Sequence, residues 1–510
     1  MDHLTVVDEI FLRTHRGMGT PIALQGLWRT PDAMEPVLLQ AIHHHLRLGP
    51  LSRRVVNPRV PGARRTWHPN TNAHPLDLLP SARHGRAEEA AKASRSSSTE
   101  VEPADSHAHS DGHTPPHGRA QASDFLRVGP LSDSEILPWA DTLGTDLDPE
   151  FGPGWRLSAA YLEDCGTVVA LTCSHALADA RGLIHAITTA LRSLGSADTD
   201  PAHDGGPAQI GPTPVAGIRS GTASSEWMDA VSQWTTILGG TARALHQRLP
   251  RLLARPSRAA SFDDVPGKTR TAYSSTTGEA PPPIQGSDTT TDRSTTVPNQ
   301  RTDRRLHPLL LTFDATHWNT TATTLGATPN SLFIHLIANI LWHNGFPSPT
   351  ITASLPVDTR DEPRVDNDLA MTEITIHRSD TPSTIRDKAK AAYQRRMSSP
   401  AGLPEEILQV VPDRLAYALS RGAGERDILC SNIGPLPDDM RKVGPHNCTR
   451  VAARAIHPGI TTFPRTQLSG YLSHLGNTYT LALVSLADND ALPESVDKAC
   501  AAIGLPPQPW

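Results

Sequence analysis

The sequence predicts an α/β (α+β) protein built as two lobes, and three observations carry that expectation. Apolar residues alternate between strand-like and helix-like periods along most of the chain. Two long segments carry neither period and divide it. The 510 residues amount to roughly two to four domains' worth of polypeptide, or one large two-lobed enzyme.

The elements follow in order. A helix is expected over 31–46, opened by Pro31, with Met34, Val37, Leu38, Ile42 and Leu46 on one face. Strands are expected over 155–163 and 167–174, joined by Asp164-Cys165-Gly166 as a hairpin turn. From Gly182 the pattern turns helical, with Leu183, Ile187, Ala190 and Leu191 at turn spacing. Thr328-Pro329-Asn330 reads as the cap of a buried helix running to His343. Strands over 350–357 and 369–377 precede helices over 384–396 and 404–419, the second kinked at Pro412. A late hairpin pairs 469–475 with 478–486 around Gly476-Asn477, and a short helix begins at Leu492.

Residues 80–123 hold no Val, Ile or Leu except Val101 and no aromatic, and 255–305 are dominated by Thr, Ser, Pro, Arg and Asp. Neither can bury enough surface to offset the entropy of ordering its backbone, so both are expected as disordered insertions. A Gly/Pro-rich stretch over 200–214 reads as the interlobe linker. The expected organisation is an N-terminal lobe over 1–199 and a C-terminal lobe over 215–510.

Composition excludes several function classes. With 53 acidic and 47 basic side chains the net charge is −6, against a nucleic-acid-coating role. Five scattered cysteines without a CxxC pair do not form a disulfide scaffold. The opening MDHLTVVDE lacks the basic-then-apolar pattern of a signal peptide, and no apolar run reaches the roughly 18 residues of a transmembrane helix. A reducing cytoplasm is the expected setting.

The stretch that carries chemistry is Val168-Val169-Ala170-Leu171-Thr172-Cys173-Ser174-His175-Ala176-Leu177-Ala178-Asp179-Ala180-Arg181-Gly182. A buried strand ends at His175, Asp179 follows four residues on, and a helix comes next. An imidazole at a strand end projects into a cleft while the sheet holds its backbone, which suits a general base titrating near neutral pH. HxxxD alone is a weak pattern. His107 and Asp111, followed by Gly112, fit HxxxDG better, yet no strand precedes them to supply a rigid frame. Metal binding is not expected, because no second ligand pair at metal spacing accompanies His175 and Asp179. Ser174 or Cys173 as a nucleophile is disfavoured by the absence of a GxSxG elbow.

The segment WRLSAAYLEDCGTVVALTCSHALADARGL resembles the active-site region of the HHxxxDG acyltransferase superfamily. That superfamily includes condensation domains, chloramphenicol acetyltransferase, polyketide-associated acyltransferases and wax ester/diacylglycerol acyltransferases. His175 stands at the family's catalytic histidine and Asp179 at its aspartate, while Ser174 replaces the first histidine and Ala180 the glycine. Three further segments are similar, in the same order: the opening LTVVDEIFLRTHRGMGTPIALQGLW, the block Pro356-Val357-Asp358-Thr359-Arg360 with Asp366-Asn367-Asp368, and Ser431-Asn432-Ile433-Gly434. The last two resemble the family's PVxxR…N and SN(V/I)G blocks, and the closest likeness is to the polyketide-associated and wax ester/diacylglycerol branches.

The resemblance implies two chloramphenicol-acetyltransferase-like αβ sandwich lobes with a channel between them. It implies His175 as the general base and Asp179 paired with Arg360 in a structural salt bridge. Ser174 would support the site, and Ser431 and Asn432 are candidates along the substrate channel. The implied reaction moves an acyl group from a thioester to a hydroxyl of a lipid or polyketide-type acceptor. No cofactor is needed: acyl-CoA or a phosphopantetheine-bound acyl group is the substrate. Implied partners are the thioester donor, a hydroxyl or amine acceptor, an acyl carrier protein or polyketide synthase, and a membrane surface touched peripherally. The activity should rise with pH through an apparent pKa of roughly 6–7, that of an ordinary imidazole. The alternatives are amide-bond formation in nonribosomal peptide synthesis and a catalytically silent condensation-like partner protein.

Overall fold

The computed structural model describes residues 3–17, 19–79, 129–197, 223–253, 305–395, 409, 426–487 and 491–510. In chain order the helices are α1 (Val6–Arg16), α2 (Pro36–Leu48), α3 (Asp133–Thr142), α4 (Ala180–Ala197), α5 (Ala223–Leu253), α6 (Ala315–Thr324), α7 (Pro329–His343), α8 (Pro382–Arg395) and α9 (Leu492–Ala502). Strands β1 (Ala23–Thr30), β2 (Arg53–Val56), β3 (Thr66–Pro69), β4 (Asp77–Leu79), β5 (Trp155–Tyr161) and β6 (Thr167–Ser174) precede α5. After it come β7 (Arg305–Asp314), β8 (Thr350–Asp358), β9 (Leu369–His377), β10 (Ile428–Pro435), β11 (Lys442–Val443), β12 (His446–Asn447), β13 (Arg450–Ile456), β14 (Leu468–Leu475), β15 (Thr478–Ala487) and β16 (Gln508–Pro509).

Two sheets define two lobes. A five-stranded sheet runs β13-β1-β6-β5-β4, and a seven-stranded sheet runs β16-β7-β15-β14-β10-β8-β9. Every position of β6 is buried, the mark of a strand covered on both faces. Its turn to β5 bends at Cys165, where a non-glycine residue takes a positive φ of 70°. In the second lobe α7 is apolar nearly all round because it is buried nearly all round, with Leu332, Phe333, Leu336, Ile337 and Ile340 sealed from solvent. Thr328 caps it by accepting from Ser331 N–H, and Pro329 sits at the first turn, where its missing N–H costs nothing.

The structure corrects the sequence reading in three places. The helix expected from Pro31 starts at Pro36, because a helix begun at Pro31 would hold Pro36 in its interior without an N–H to donate. Met34 precedes that helix, its N–H bound to Thr167 Oγ1 at 2.9 Å. The C-terminal lobe over 215–510 is not self-contained: β13 crosses back and pairs with β1 from Ala23↔Ile456 to Arg29↔Arg450. Inside that junction Arg454 donates to Gln25 Oε1 and pairs with Asp141, so the crossover strand is held by buried charge as well as by its ladder. Arg305, placed at the end of the second insertion, opens β7. The rest of that insertion, 80–123, the linker 200–214, His107, Asp111 and all but Gln409 of the helix expected over 404–419 lie outside the described residues. Among the described residues no helix is long and apolar enough to cross a membrane.

Candidate active site

His175 is the first residue beyond β6. The ladder between β1 and β6 ends at Ala23↔Ser174, and His175 N–H then donates to Ile22 O at 3.0 Å. Chain direction changes at once, with Leu177 N–H turning back to Ser174 O at 2.9 Å. Asp179 stops the turn and starts α4. Its Oδ1 accepts from Gly182 N–H at 2.8 Å, satisfying one of the helix's orphan donors. Its Oδ2 accepts from Asp368 N–H at 3.1 Å and from Arg360 Nη2.

One carboxylate therefore joins the start of α4 to the loop between β8 and β9. Asp179 and Arg360 each retain 7% side-chain exposure, so the pair is buried. Arg360 Nη2 also donates to Asp366 O at 2.9 Å, folding the loop onto itself. A second pair repeats the join: Arg53 of the first lobe binds Asp366, donates to Leu177 O at 2.6 Å and lies over the Trp67 ring at 4.0 Å. Gly182 explains how closely the lobes meet. A Cβ there would stand 2.3 Å from Val365 O, inside any allowed contact.

Asn367 fixes the chemistry of the imidazole. Its Nδ2 donates to His175 O at 2.9 Å and Ala176 O at 3.2 Å, acceptors that cannot donate, and to Asp8 Oδ1 at 2.8 Å. The amide orientation is thus settled by its partners, and Asn367 Oδ1 is left facing His175 Nδ1 at 3.2 Å. Nδ1 must carry the hydrogen, so Nε2 carries the lone pair. Phe11 stacks on the ring at 3.5 Å and 12°, fixing its plane. Asp8 in turn belongs to the capping box of α1: Asp8 N–H donates to Thr5 Oγ1 at 3.0 Å and Thr5 N–H donates to Asp8 Oδ2 at 2.8 Å. Burial raises the Asp8 carboxyl, against the pull of Arg53.

Burial lowers the His175 pKa to about 4, outweighing the favourable influence of its own backbone, of Asp179 and of the Asn367 hydrogen bond. The expected apparent pKa of roughly 6–7 is corrected accordingly: the ring is neutral, with a free lone pair, across the whole neutral range. A second imidazole lies nearby. His457, just past β13, hydrogen-bonds Pro21 O through Nδ1 at 3.1 Å and depresses His175 further.

The remaining residues singled out from sequence are placed less centrally. Among the described residues Ser174 Oγ is buried without a partner. Asn432 is exposed on β10; its Nδ2 donates to Asn330 Oδ1 at 3.0 Å, and its Oδ1 accepts from Gly434 N–H at 3.0 Å. Neighbouring Ser431 is partly buried. The β8–β10 ladder is registered at Ile428↔Ala353 and Leu429↔Ser354, beyond which the strands part. Arg181 reaches the far side of that gap, donating to Pro435 O at 3.2 Å. Asn432 thus stands on the β10 side of that gap. Asp8, Phe11 and Asn367 lay in quoted segments without being singled out, while His457 was missed. The Thr5–Asp8 spacing was a readable cap signal; nothing local marks His457.

Among the described residues no cluster of three His, Cys, Asp or Glu is placed to hold a metal. No family model and no curated protein sequence matches the chain. Solved structures do. The condensation domain of the monacolin K polyketide synthase MokA superposes with a TM-score of 0.50 at 12% identity, over 98% of this chain and 96% of that one. The first condensation domain of the CDA synthetase gives 0.50 at 12% identity, over 99% and 96%. The chain spans 42% of the length of the nonribosomal peptide synthetase FmoA3, with a TM-score of 0.49 at 13% identity. The fold is the two-lobed fold of these condensation domains.

Proposed function

We propose that this protein is a condensation-type acyltransferase that moves an acyl group from a thioester to a nucleophile, with His175 Nε2 as general base. One observation carries the reading: Asn367 holds Nδ1 as the donor, leaving Nε2 as a lone pair on a ring fixed at its backbone, its edge and its face. A base held in one tautomer is ready at the moment of attack. Nucleophile oxygen or nitrogen attacks the thioester carbon, its proton passes to Nε2, and the proton then goes to the departing thiolate as the C–S bond breaks. Asp179 and Arg360 keep the loop in place and take no part in proton transfer. The donor is acyl-CoA or an acyl group on a carrier protein's phosphopantetheine, and the first acceptor reading is a hydroxyl of a lipid or polyketide-type molecule.

Amide formation is the second reading, supported by the superposition on condensation domains. A panel of acyl-CoAs and loaded carrier proteins, offered with hydroxyl and amine acceptors and followed by intact mass, tests both. Acyl transfer that disappears in His175→Ala is the expected result. Absence of transfer from every donor, with saturable binding to a carrier protein, would instead identify a silent partner protein.

A further inference from the structure

Two imidazoles stand at the open end of the five-stranded sheet. Strand β1 runs between β6 and β13, and Ala23 faces Ser174 on one side and Ile456 on the other. One residue further, Ile22 lies between His175, whose N–H it accepts at 3.0 Å, and His457. His175 and His457 therefore flank Ile22 just beyond the ends of the two ladders, near enough for His457 to act on the charge of His175.

Their hydrogen bonding is matched as well. Each Nδ1 is tied to a fixed oxygen, Asn367 Oδ1 at 3.2 Å for His175 and Pro21 O at 3.1 Å for His457. A carbonyl only accepts, so His457 also carries its hydrogen on Nδ1 and its lone pair on Nε2. Among the described residues neither Nε2 has a protein partner, and neither is among the sealed polar atoms. Burial lowers the His457 pKa, so its ring too is neutral near pH 7.

We infer that His457 is an acceptor-binding residue of this site, and that the acceptor presents two hydrogen-bond donors at its reacting end, one for each Nε2. A vicinal diol, whose two hydroxyls can reach two separate acceptors, meets that requirement; a simple alcohol, with one hydrogen, does not. The inference rests on the acyl-transfer reading for its chemistry. The donor group bound by His175 loses its proton as its oxygen or nitrogen bonds to the thioester carbon, and that proton leaves with the thiolate. The donor group bound by His457 keeps its hydrogen throughout.

Two measurements on the full chain test this. Diethyl pyrocarbonate modifies open, neutral imidazole nitrogens, so peptide mass mapping should find both His175 and His457 labelled, and a His457→Ala variant should still label His175. In steady-state assays with acyl-CoA, paired acceptors such as an alkyl-1,2-diol and the matching alkan-1-ol compare two donors with one. The parent should favour the diol, and His457→Ala should raise KM for the diol about tenfold, the upper end for one hydrogen bond, while leaving KM for acyl-CoA and for the alkanol unchanged. His457→Gln, whose amide oxygen accepts, should recover part of the loss. An unlabelled His457, a parent without preference for the diol, or a variant that weakens acyl-CoA instead would each overturn the inference. Labelling of both rings in a chain with no turnover would sink the acyl-transfer reading and leave the two-imidazole arrangement standing.

Discussion

Two charged contacts of this protein, the Asp179–Arg360 pair and the His446 site, are built to opposite designs. At the first, Asp179 and Arg360 are buried and extended by Asn367 and Asp8 to the edge of the candidate base. At the second, the β11–β12 hairpin places His446 between Asp32 and Glu35, with Nδ1 and Nε2 at 2.7 and 2.9 Å from the carboxylates, but those two acids are 57% and 64% exposed. The chemistry of the contacts is alike. Solvent makes the difference: a broken buried pair strands a charge, whereas an exposed one is taken over by water.

The pH response separates them further, in opposite directions. Burial works against the His446 pKa, but hydrogen bonds to Glu35 and Asp32 outweigh it and raise the net value. Its contribution to stability is full below the unfolded value near 6.5 and is lost as pH rises through the folded pKa. His175 is lowered to about 4 by burial, so stability falls as pH drops from about 6.5 toward that value, where the unfolded chain binds the extra proton.

The largest expected effect breaks function at the first junction without breaking the junction. His175→Ala should cut turnover by about 10²–10⁴ while unfolding at nearly the parent temperature. In the parent, kcat/KM should rise through an apparent pKa of about 4 and stay flat through neutrality; a limb near 6.5 would show that the ring is not buried as described. Asp179→Ala comes next, and attacks the junction itself. Denaturant titration should show a loss of about 3 kcal/mol with loss of activity, because the buried Arg360 keeps only the part-exposed Asp358 as a counter-charge.

Asn367→Ala sharpens the comparison by cutting the link between junction and base. Stability should fall by about 1–3 kcal/mol as three acceptors lose their donor and His175 Nδ1 its acceptor, and the acid limb of kcat/KM should move down, since Asn367 supports the protonated ring. At the exposed junction His446→Gln should change the unfolding midpoint far less than Asp179→Ala at pH 6, and the difference from the parent should vanish as pH is raised. Smallest of all, Ser174→Ala removes a buried hydroxyl with no partner among the described residues, so stability should stay within about 0.5 kcal/mol or rise slightly.

Much of this molecule was legible locally. Continuous burial of β6, the Thr328-Pro329 start of α7, the Gly476-Asn477 hairpin and the strand–His175–Asp179–helix passage all rest on short-range periodicity and caps, which neighbouring residues dictate. Arg360 was matched to Asp179 only through the family resemblance of the two segments that hold them. Return of β13 to the first sheet, the placement of His457 beside His175, and the route from Asp8 through Asn367 to Nδ1 depend on contacts between residues hundreds of positions apart. No local pattern encodes such pairings. The pKa belongs with them: sequence supplies an imidazole, but only the packed surroundings set how much water its charged form would lose.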